Sequence, residues 1–155
     1  MSRRDEITLS AGEQRELLES ERVAVVASNG RRGWPHQMPL WYVLREAEIW
    51  IYTYAKSQKV RNLERDPRAT LIVETGHEYT ELRGVMIEAD AEINRDHDLV
   101  FDVAKQLTLR YADGFDSIEG DAAEAMRAQA QKRVAIRFAA KRVASWDHRK
   151  LGGTY

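Results

Sequence analysis

The sequence contains no cysteine, and this absence excludes a whole group of chemistries. Disulfide scaffolds, thiolate metal sites and thiol nucleophiles all require cysteine. Only three prolines and nine glycines occur among 155 residues, and no Pro-rich or Gly-rich linker divides the chain. Because this length suits a single domain, we expect residues 1–155 to fold as one unit.

The chain also lacks a surplus of charge of either sign. It has 24 Lys and Arg residues against 25 Asp and Glu residues, a formal net charge of −1. The chain as a whole therefore has no positive electrostatic field that would attract nucleic acid or an anionic membrane. Any anion-binding site must depend on a local group of basic residues. No apolar run approaches the ~20 residues that cross a bilayer, and the charged first residues do not resemble a signal peptide. We expect a cytoplasmic protein with neither nucleic acid nor membrane as a partner.

Familiar motifs of metal and nucleophilic chemistry are missing as well. The four histidines, at positions 36, 77, 97 and 148, form no HxxH or HxxxH pair. The acidic loop over residues 112–120 lacks the fixed spacing of a calcium loop. No GxGxxG, Walker or GxSxG sequence is present. We therefore expect no metal site.

The order of elements is readable from capping and periodicity. Ser10 and Glu13 form a capping-box pattern that predicts a helix over residues 10–20. Residues 22–93 show five strand patterns and one short helix, residues 94–132 a helical pair, residues 133–146 a last strand and residues 147–155 a tail. Tight turns such as Asn29-Gly30 favour an antiparallel barrel of six strands with peripheral helices.

The second strand pattern, over residues 36–44, contains a proline. Pro39 has no N–H to donate to a ladder, so we expect this strand to be an edge strand or to bulge there.

A basic segment directly follows the third strand pattern. Five basic and two acidic residues fall between Lys56 and Arg68, a local charge of +3. Ser57 is a candidate N-cap, and Lys56 and Lys59 flank it at a helix start. Such a start can cradle a phosphate or carboxylate, although a solvated amphipathic helix would carry the same pattern.

Aromatic residues precede this basic segment. Trp41 and Tyr42 lie in one strand pattern, and Trp50, Tyr52 and Tyr54 lie in the next, with which we expect it to pair. Alternation places the last three on one face. This face is either a wall for a flat ring or a packed surface of the sheet.

Together these segments resemble a known family. The sequences PHQMPLW, SQKVRNL (residues 57–63) and DPRATLIV occur in the order seen in the pyridoxamine 5′-phosphate oxidase-like split β-barrel superfamily. Within it, the spacing is most similar to the flavin/deazaflavin oxidoreductases of actinobacteria. The resemblance implies a mainly β fold, a six-stranded antiparallel split β-barrel, and a homodimer with a cofactor at each interface site.

The resemblance further implies coenzyme F-420, a deazaflavin, as cofactor, with FMN as the alternative. It assigns the anionic end of the cofactor to the basic helix start, and the ring to the second and third strands. The cofactor-binding residues expected on this basis are Gln37, Met38, Pro39, Leu40, Trp41, Tyr52, Thr53, Tyr54, Lys56, Ser57, Lys59 and Arg61.

The C-terminal tail supplies further candidates. By its resemblance to superfamily tails, Trp146 is a cofactor contact from the second subunit, although a solvated terminus would also fit this composition. Tyr54 and His148 are the candidate catalytic proton donors.

The expected function is transfer of hydride from reduced deazaflavin to an unsaturated small-molecule substrate, because such cofactors carry the redox chemistry themselves. The alternatives are an FMN-dependent flavin reductase or pyridoxamine-phosphate-oxidase-like enzyme, and a non-catalytic flavin- or haem-binding protein. Haem binding would require His36 or His148 as an iron ligand.

Overall fold

A computed structural model describes residues 3–114 and 116–152. Its helices are α1 (Arg3–Glu6), α2 (Ala11–Ser20), α3 (Gln58–Arg65), α4 (His97–Tyr111) and α5 (Gly120–Ala130). Its strands are β1 (Ala24–Asn29), β2 (Pro35–Leu40), β3 (Val43–Arg45), β4 (Glu48–Tyr54), β5 (Arg68–Thr75), β6 (Arg83–Asn94) and β7 (Arg133–Asp147). Short 3₁₀ helices cover Tyr79–Glu81 and His148–Leu151.

The strands of the described residues form one antiparallel sheet in the order β2-β1-β5-β6-β7-β4-β3. The sheet curls into a half-barrel, which confirms the mainly β split-barrel class. It has seven strands rather than the expected six, because the strand expected over residues 36–44 is divided into β2 and β3.

This division corrects the expected strand pairing. β2 pairs with β1 at one edge of the sheet, and β3 pairs with β4 at the other edge. Trp41 and Tyr42 belong to neither strand and form the crossover between the two edges. Periodicity along a chain indicates which residues share a face of a strand and not which strands pair, so the pattern predicts one strand where two short ones form. Pro39 does lie in an edge strand, as expected, since β2 pairs only with β1.

The starts of α2 and α4 carry side-chain caps, and the cap of α2 is the one expected from the sequence. Ser10 Oγ accepts a hydrogen bond from the Glu13 backbone N–H at 3.3 Å, and Glu13 Oε2 accepts one from the Ser10 N–H at 2.6 Å. Asp96 caps α4 by accepting from the Leu99 N–H at 2.9 Å. Both caps satisfy N–H groups that a helix start leaves without an intrahelical partner.

Two apolar clusters cover the two faces of β4. Ile49 and Ile51 face the main core inside the curl, together with Leu17 of α2. Trp50 and Tyr52 pack on the opposite side against a smaller cluster that α4 and α5 bring to the sheet. The shared face of Trp50, Tyr52 and Tyr54 is thus confirmed, and helices cover the first two of these side chains.

A network around Tyr42 holds the crossover. The Tyr42 side chain is fully buried, and its hydroxyl donates to the carbonyl oxygens of Leu18, at 2.6 Å, and Glu21, at 3.0 Å. Arg110 of α4 donates to these same two oxygens at 3.0 and 2.8 Å. The Tyr111 hydroxyl donates to the Tyr42 carbonyl at 2.7 Å. Since a helix end leaves carbonyls without intrahelical donors, these contacts attach the end of α2 to the crossover and to α4.

The last strand continues one residue beyond the expected end, to Asp147, and the tail follows it closely. Trp146 lies across its strand neighbour Gly84, where an added Cβ would come 2.3 Å from the Trp146 ring. Lys150 donates from Nζ to the Thr8 carbonyl at 2.9 Å and to Glu13 at 2.8 Å. The tail is therefore held by its own chain as far as Gly152, and Tyr155 lies outside the described residues.

Within residues 3–114 and 116–152, no helix is both long enough and apolar enough to cross a membrane.

Replacing Tyr42 with Phe tests the crossover network. The change leaves the ring in place and removes the donor to two carbonyls near the end of α2. We expect the free energy of unfolding to fall by about 1–3 kcal/mol, the usual cost of a broken buried hydrogen bond. Urea denaturation followed by circular dichroism measures it. Tyr54→Phe, at an exposed site, is the control and should change stability by less than about 0.5 kcal/mol. Equal effects of the two changes would contradict the role of Tyr42.

The same tyrosine predicts an alkaline loss of stability. Burial raises the pKa of Tyr42 to about 12 from its ordinary value near 10. Because the fold favours the neutral phenol, this contribution is complete below pH 10 and is lost as the pH rises toward 12. Stability measured between pH 9 and 12 should fall less steeply in Tyr42→Phe than in the wild type. Parallel curves would show that Tyr42 does not contribute.

Candidate functional site

The turn from β4 into α3 forms the centre of the candidate site. The Ser57 N–H donates to the Tyr54 carbonyl at 3.1 Å, which closes the turn. Ser57 occupies the N-cap position, as expected, but its side chain does not cap the helix. Its Oγ is buried and has no hydrogen-bond partner among the described residues. A buried hydroxyl without a partner is costly, so this position suits a polar ligand atom.

Lys59 lies in the first turn of α3 and is almost completely buried, with 9% of its surface exposed. Its Nζ donates to Thr53 Oγ1 of β4 at 2.9 Å. Burial lowers the pKa of Lys59, and the positive charge of Arg133 lowers it further. Within the described part of the chain, no carboxylate forms an ion pair with Lys59. The ammonium group therefore has a desolvated charge that no carboxylate among the described residues compensates.

Arg133 completes the positive charge at this site. It is the strand neighbour of Tyr54, and its guanidinium carbon lies 3.5 Å from the centroid of the Tyr54 ring and 5.0 Å from that of Tyr52. No ion pair to Arg133 occurs among the described residues. No local pattern in the sequence identifies Arg133 as a site residue, because its place depends on the register that joins β4 to the start of β7.

Tyr52 lies between the basic residues and the helical pair. Its hydroxyl is buried without a partner in the described chain, and burial raises its pKa. The side chains of Tyr52 and Thr53 point to opposite faces of β4. The candidate site therefore includes residues on both faces of this strand.

A group of large apolar side chains is exposed beside the site. Trp41 and Tyr54 each have 58% of their surface exposed, and Met38 lies on the open edge strand β2. Trp41 stacks on Tyr111 with ring centroids 4.6 Å apart and planes within 8°. Exposed aromatic surface next to an unpaired strand edge suits contact with a ring or with another protein chain.

The structure brings together only part of the expected set. Leu40, Trp41 and Tyr52 line one cleft, whereas Gln37 borders a separate hollow with Arg68 and Lys141. Met38 and Pro39 are exposed on β2. Lys56 is exposed just before the start of α3, and Arg61 is exposed within that helix.

Within one chain, Trp146 and His148 do not join this group. Arg133 begins β7 beside Tyr54, and Trp146 and His148 lie at its far end, separated by up to roughly 45 Å of strand. His148 Nδ1 is 2.9 Å from the Tyr79 carbonyl oxygen. The two candidate proton donors, Tyr54 and His148, therefore cannot act together in a single subunit.

In the described ranges, no three His, Asp or Glu side chains are grouped so that they could hold a metal ion.

Comparison with known proteins gives one family. Residues 10–147 match the pyridoxamine 5′-phosphate oxidase family. A conserved hypothetical protein from Mycobacterium tuberculosis is 38% identical, with a TM-score of 0.88 over 100% of this chain and 95% of that one. No curated protein matches the sequence.

Two more distant structures share the fold. An F420 reductase is 20% identical, with a TM-score of 0.65 over 88% of this chain and 98% of that one. A FAD-binding protein from Mesorhizobium loti is 23% identical, with a TM-score of 0.65 over 89% of this chain and 94% of that one.

Replacing Lys59 with Met tests whether its ammonium group serves the fold. Met keeps the length of the buried side chain and removes a desolvated charge, at the cost of one hydrogen bond to Thr53. We expect the ligand-free protein to unfold with a free energy within about 1 kcal/mol of the wild type, or higher. Urea denaturation at pH 7 measures this. A loss of several kcal/mol would show that Lys59 is retained for stability instead.

Proposed function

Because the chain belongs to the pyridoxamine 5′-phosphate oxidase family, we propose that it is an oxidoreductase that uses a reduced deazaflavin, coenzyme F-420. The substrate in this proposal is an unsaturated small molecule that accepts hydride. The likeness in fold to an F420 reductase supports the choice of cofactor.

The observation that carries the proposal is the uncompensated cation at the start of α3. Lys59 is buried without an anionic partner in the described chain, and the hydroxyl of Ser57 beside it is buried without a hydrogen bond. The first N–H groups of α3 add donors and the positive end of the helix dipole. A phosphate or carboxylate placed there would compensate the charge of Lys59 and give Ser57 a partner. These residues therefore fit the anionic end of such a cofactor.

The neighbouring residues suit the ring of the cofactor. Trp41 and Leu40 provide apolar surface at the crossover, and Tyr52 provides a buried hydroxyl. A reduced deazaflavin supplies two electrons as hydride, and the acceptor must also take up one proton. The protein's part is to orient the ring, exclude water and hold that proton at a side chain.

Tyr54 is the proposed proton-holding residue within a subunit. Its ring lies under the guanidinium group of Arg133, with 3.5 Å between the guanidinium carbon and the ring centroid, at the start of the basic segment. His148 could contribute only from the second subunit of a homodimer, because it lies at the far end of β7 in its own chain. The open β2 edge and the exposed aromatic surface at Trp41 support such a dimer.

FMN is the second candidate, on the same observation. The Lys59 and Ser57 positions offer charge and hydrogen bonding to any phosphate, so they do not by themselves distinguish FMN from a deazaflavin.

Parallel titrations of the ligand-free protein with FMN and with the deazaflavin test the proposal. We expect saturable quenching of deazaflavin fluorescence, with FMN binding at least tenfold more weakly. Lys59→Met should weaken deazaflavin binding at least tenfold, since one buried charge-assisted contact contributes about 1.5–3 kcal/mol. Lys105→Met, on α4, removes a lysine elsewhere and is the matched control.

The outcomes separate the cofactors. Tight binding of FMN alone would favour the second candidate. Failure of both ligands to bind, or equal behaviour of the Lys59 and Lys105 variants, would refute the proposed site.

A further inference from the structure

The hairpin that joins β1 to β2 ends in a short loop over residues 30–34, which hydrogen bonds close. The Gly33 N–H donates to the Gly30 carbonyl, and the Gly30 N–H donates to the Trp34 carbonyl, both at 3.1 Å. A side chain at Gly30 would collide with that second carbonyl, because its Cβ would lie 2.3 Å from the oxygen. A Cβ at Gly33 would meet no atom within 4 Å, so this part of the loop faces open space.

Three arginines lie at this hairpin tip without acidic partners. Arg31 and Arg32 occupy the loop itself, and both are exposed. Arg65, the last residue of α3, donates to the Asn29 carbonyl at the base of the hairpin. None of the three forms an ion pair in the described part of the chain. The nearby Asp66 carboxylate already accepts side-chain hydrogen bonds from another arginine at 2.9 and 2.8 Å. The tip therefore has a local surplus of positive charge.

An exposed indole accompanies these cations. Trp34 ends the loop and has 75% of its surface exposed, the largest fraction among the exposed large apolar side chains of the described residues. Water is a poor environment for so much apolar surface. An indole is well placed at a boundary between water and lipid, because its ring is apolar and its N–H can still donate a hydrogen bond.

The shape of the tip narrows the choice of partner. A hollow at the base of the hairpin is lined by Asn29 and Pro35, but not by Arg31, Arg32 or Trp34. Proteins that hold single-stranded nucleic acid generally enclose it in a positively charged groove. A projecting tip that combines cations with an indole instead fits a broad anionic surface.

We propose that this hairpin tip docks the protein on an anionic lipid bilayer. Arg31, Arg32 and Arg65 contact lipid phosphates, and Trp34 enters the headgroup region. Arginine suits this contact, since a guanidinium group can bind a phosphate through two hydrogen bonds. The docking is peripheral and reversible, because three cations and one indole bind far more weakly than a spanning helix.

This surface is a local exception to an expectation drawn from the whole chain. The net charge of −1 predicts no membrane partner, but the structure brings Arg65 to the hairpin that carries Arg31 and Arg32. The proposed cofactor site does not include these three residues or Trp34. The docking surface and the proposed function are therefore independent of each other.

Co-sedimentation with lipid vesicles tests the docking. We expect saturable binding to vesicles of phosphatidylcholine that contain about 30% phosphatidylglycerol, and at least fivefold weaker binding to pure phosphatidylcholine. Binding to the anionic vesicles should fall at least threefold when NaCl is raised from about 0.05 to 0.5 M, because salt screens exposed charges.

Paired variants locate the contact. Arg31→Gln combined with Arg32→Gln should weaken binding to the anionic vesicles at least fivefold, because two cations leave the contact. Arg4→Gln combined with Arg15→Gln, at exposed positions on α1 and α2, changes the net charge by the same amount. This matched control should bind within twofold of the wild type.

Tryptophan fluorescence tests whether Trp34 enters the bilayer. Lipids with brominated acyl chains quench a tryptophan that reaches them. Such vesicles should quench the wild-type protein, and Trp34→Phe should remove this quenching. Trp41→Phe, which changes another exposed tryptophan, should retain it.

Four results would overturn the docking proposal: no binding to the anionic vesicles, equal binding to both kinds of vesicle, equal behaviour of the two double variants, or quenching that survives Trp34→Phe. Tighter binding of a single-stranded oligonucleotide than of the vesicles, lost in the Arg31 and Arg32 variant, would assign the tip to nucleic acid and also overturn it. Vesicle binding without cofactor binding would refute only the proposed function, and cofactor binding without vesicle binding would refute only the docking.

Discussion

The hydrogen bonds of Arg110 and Tyr42 to the end of α2 hold together the parts of the molecule that form the site. The chain must pass from β2 at one edge of the sheet to β3 at the other, and Tyr42 lies in that crossover. Its buried hydroxyl and the Arg110 guanidinium both satisfy the carbonyls of Leu18 and Glu21. These hydrogen bonds fix the position of the crossover relative to α2 and α4.

Fixing the crossover also places two unlike environments next to each other. On one side of β4, Thr53 holds the buried ammonium group of Lys59, which lacks an anion among the described residues. On the other side, Tyr52 lines an apolar cleft together with Trp41 and residues of α4. The alternation of one strand thus separates the buried ammonium group from the apolar cleft. A nearly neutral protein can in this way contain a strongly cationic position.

Local signals in the sequence predicted much of the secondary structure. A capping box placed the start of α2, alternation placed β6 and β7, and Pro39 indicated an edge strand or a bulge, of which the structure has the edge strand. The pairing of the strands could not be read in this way, since a strand pattern is the same whatever its neighbour. Hence the pattern over residues 36–44 predicts one strand, although the segment is divided at Trp41 and Tyr42. Arg133 is not identifiable from local pattern for the same reason, because only the register with Tyr54 gives it a place in the site.

The sequence by itself determined the chemistry that is available: no thiol, no histidine pair at metal-ligand spacing, a local positive charge at residues 56–68 and an aromatic third strand pattern. These are properties of residue type and short spacing, so local physics is sufficient to read them. Only the tertiary structure decided that Lys59 is buried against Thr53, that Arg133 joins it, and that Tyr54 and His148 lie at opposite ends of β7. Burial and long-range register arise from how the whole sheet curls, and the resulting loss of solvent turns an ordinary lysine into a candidate anion site.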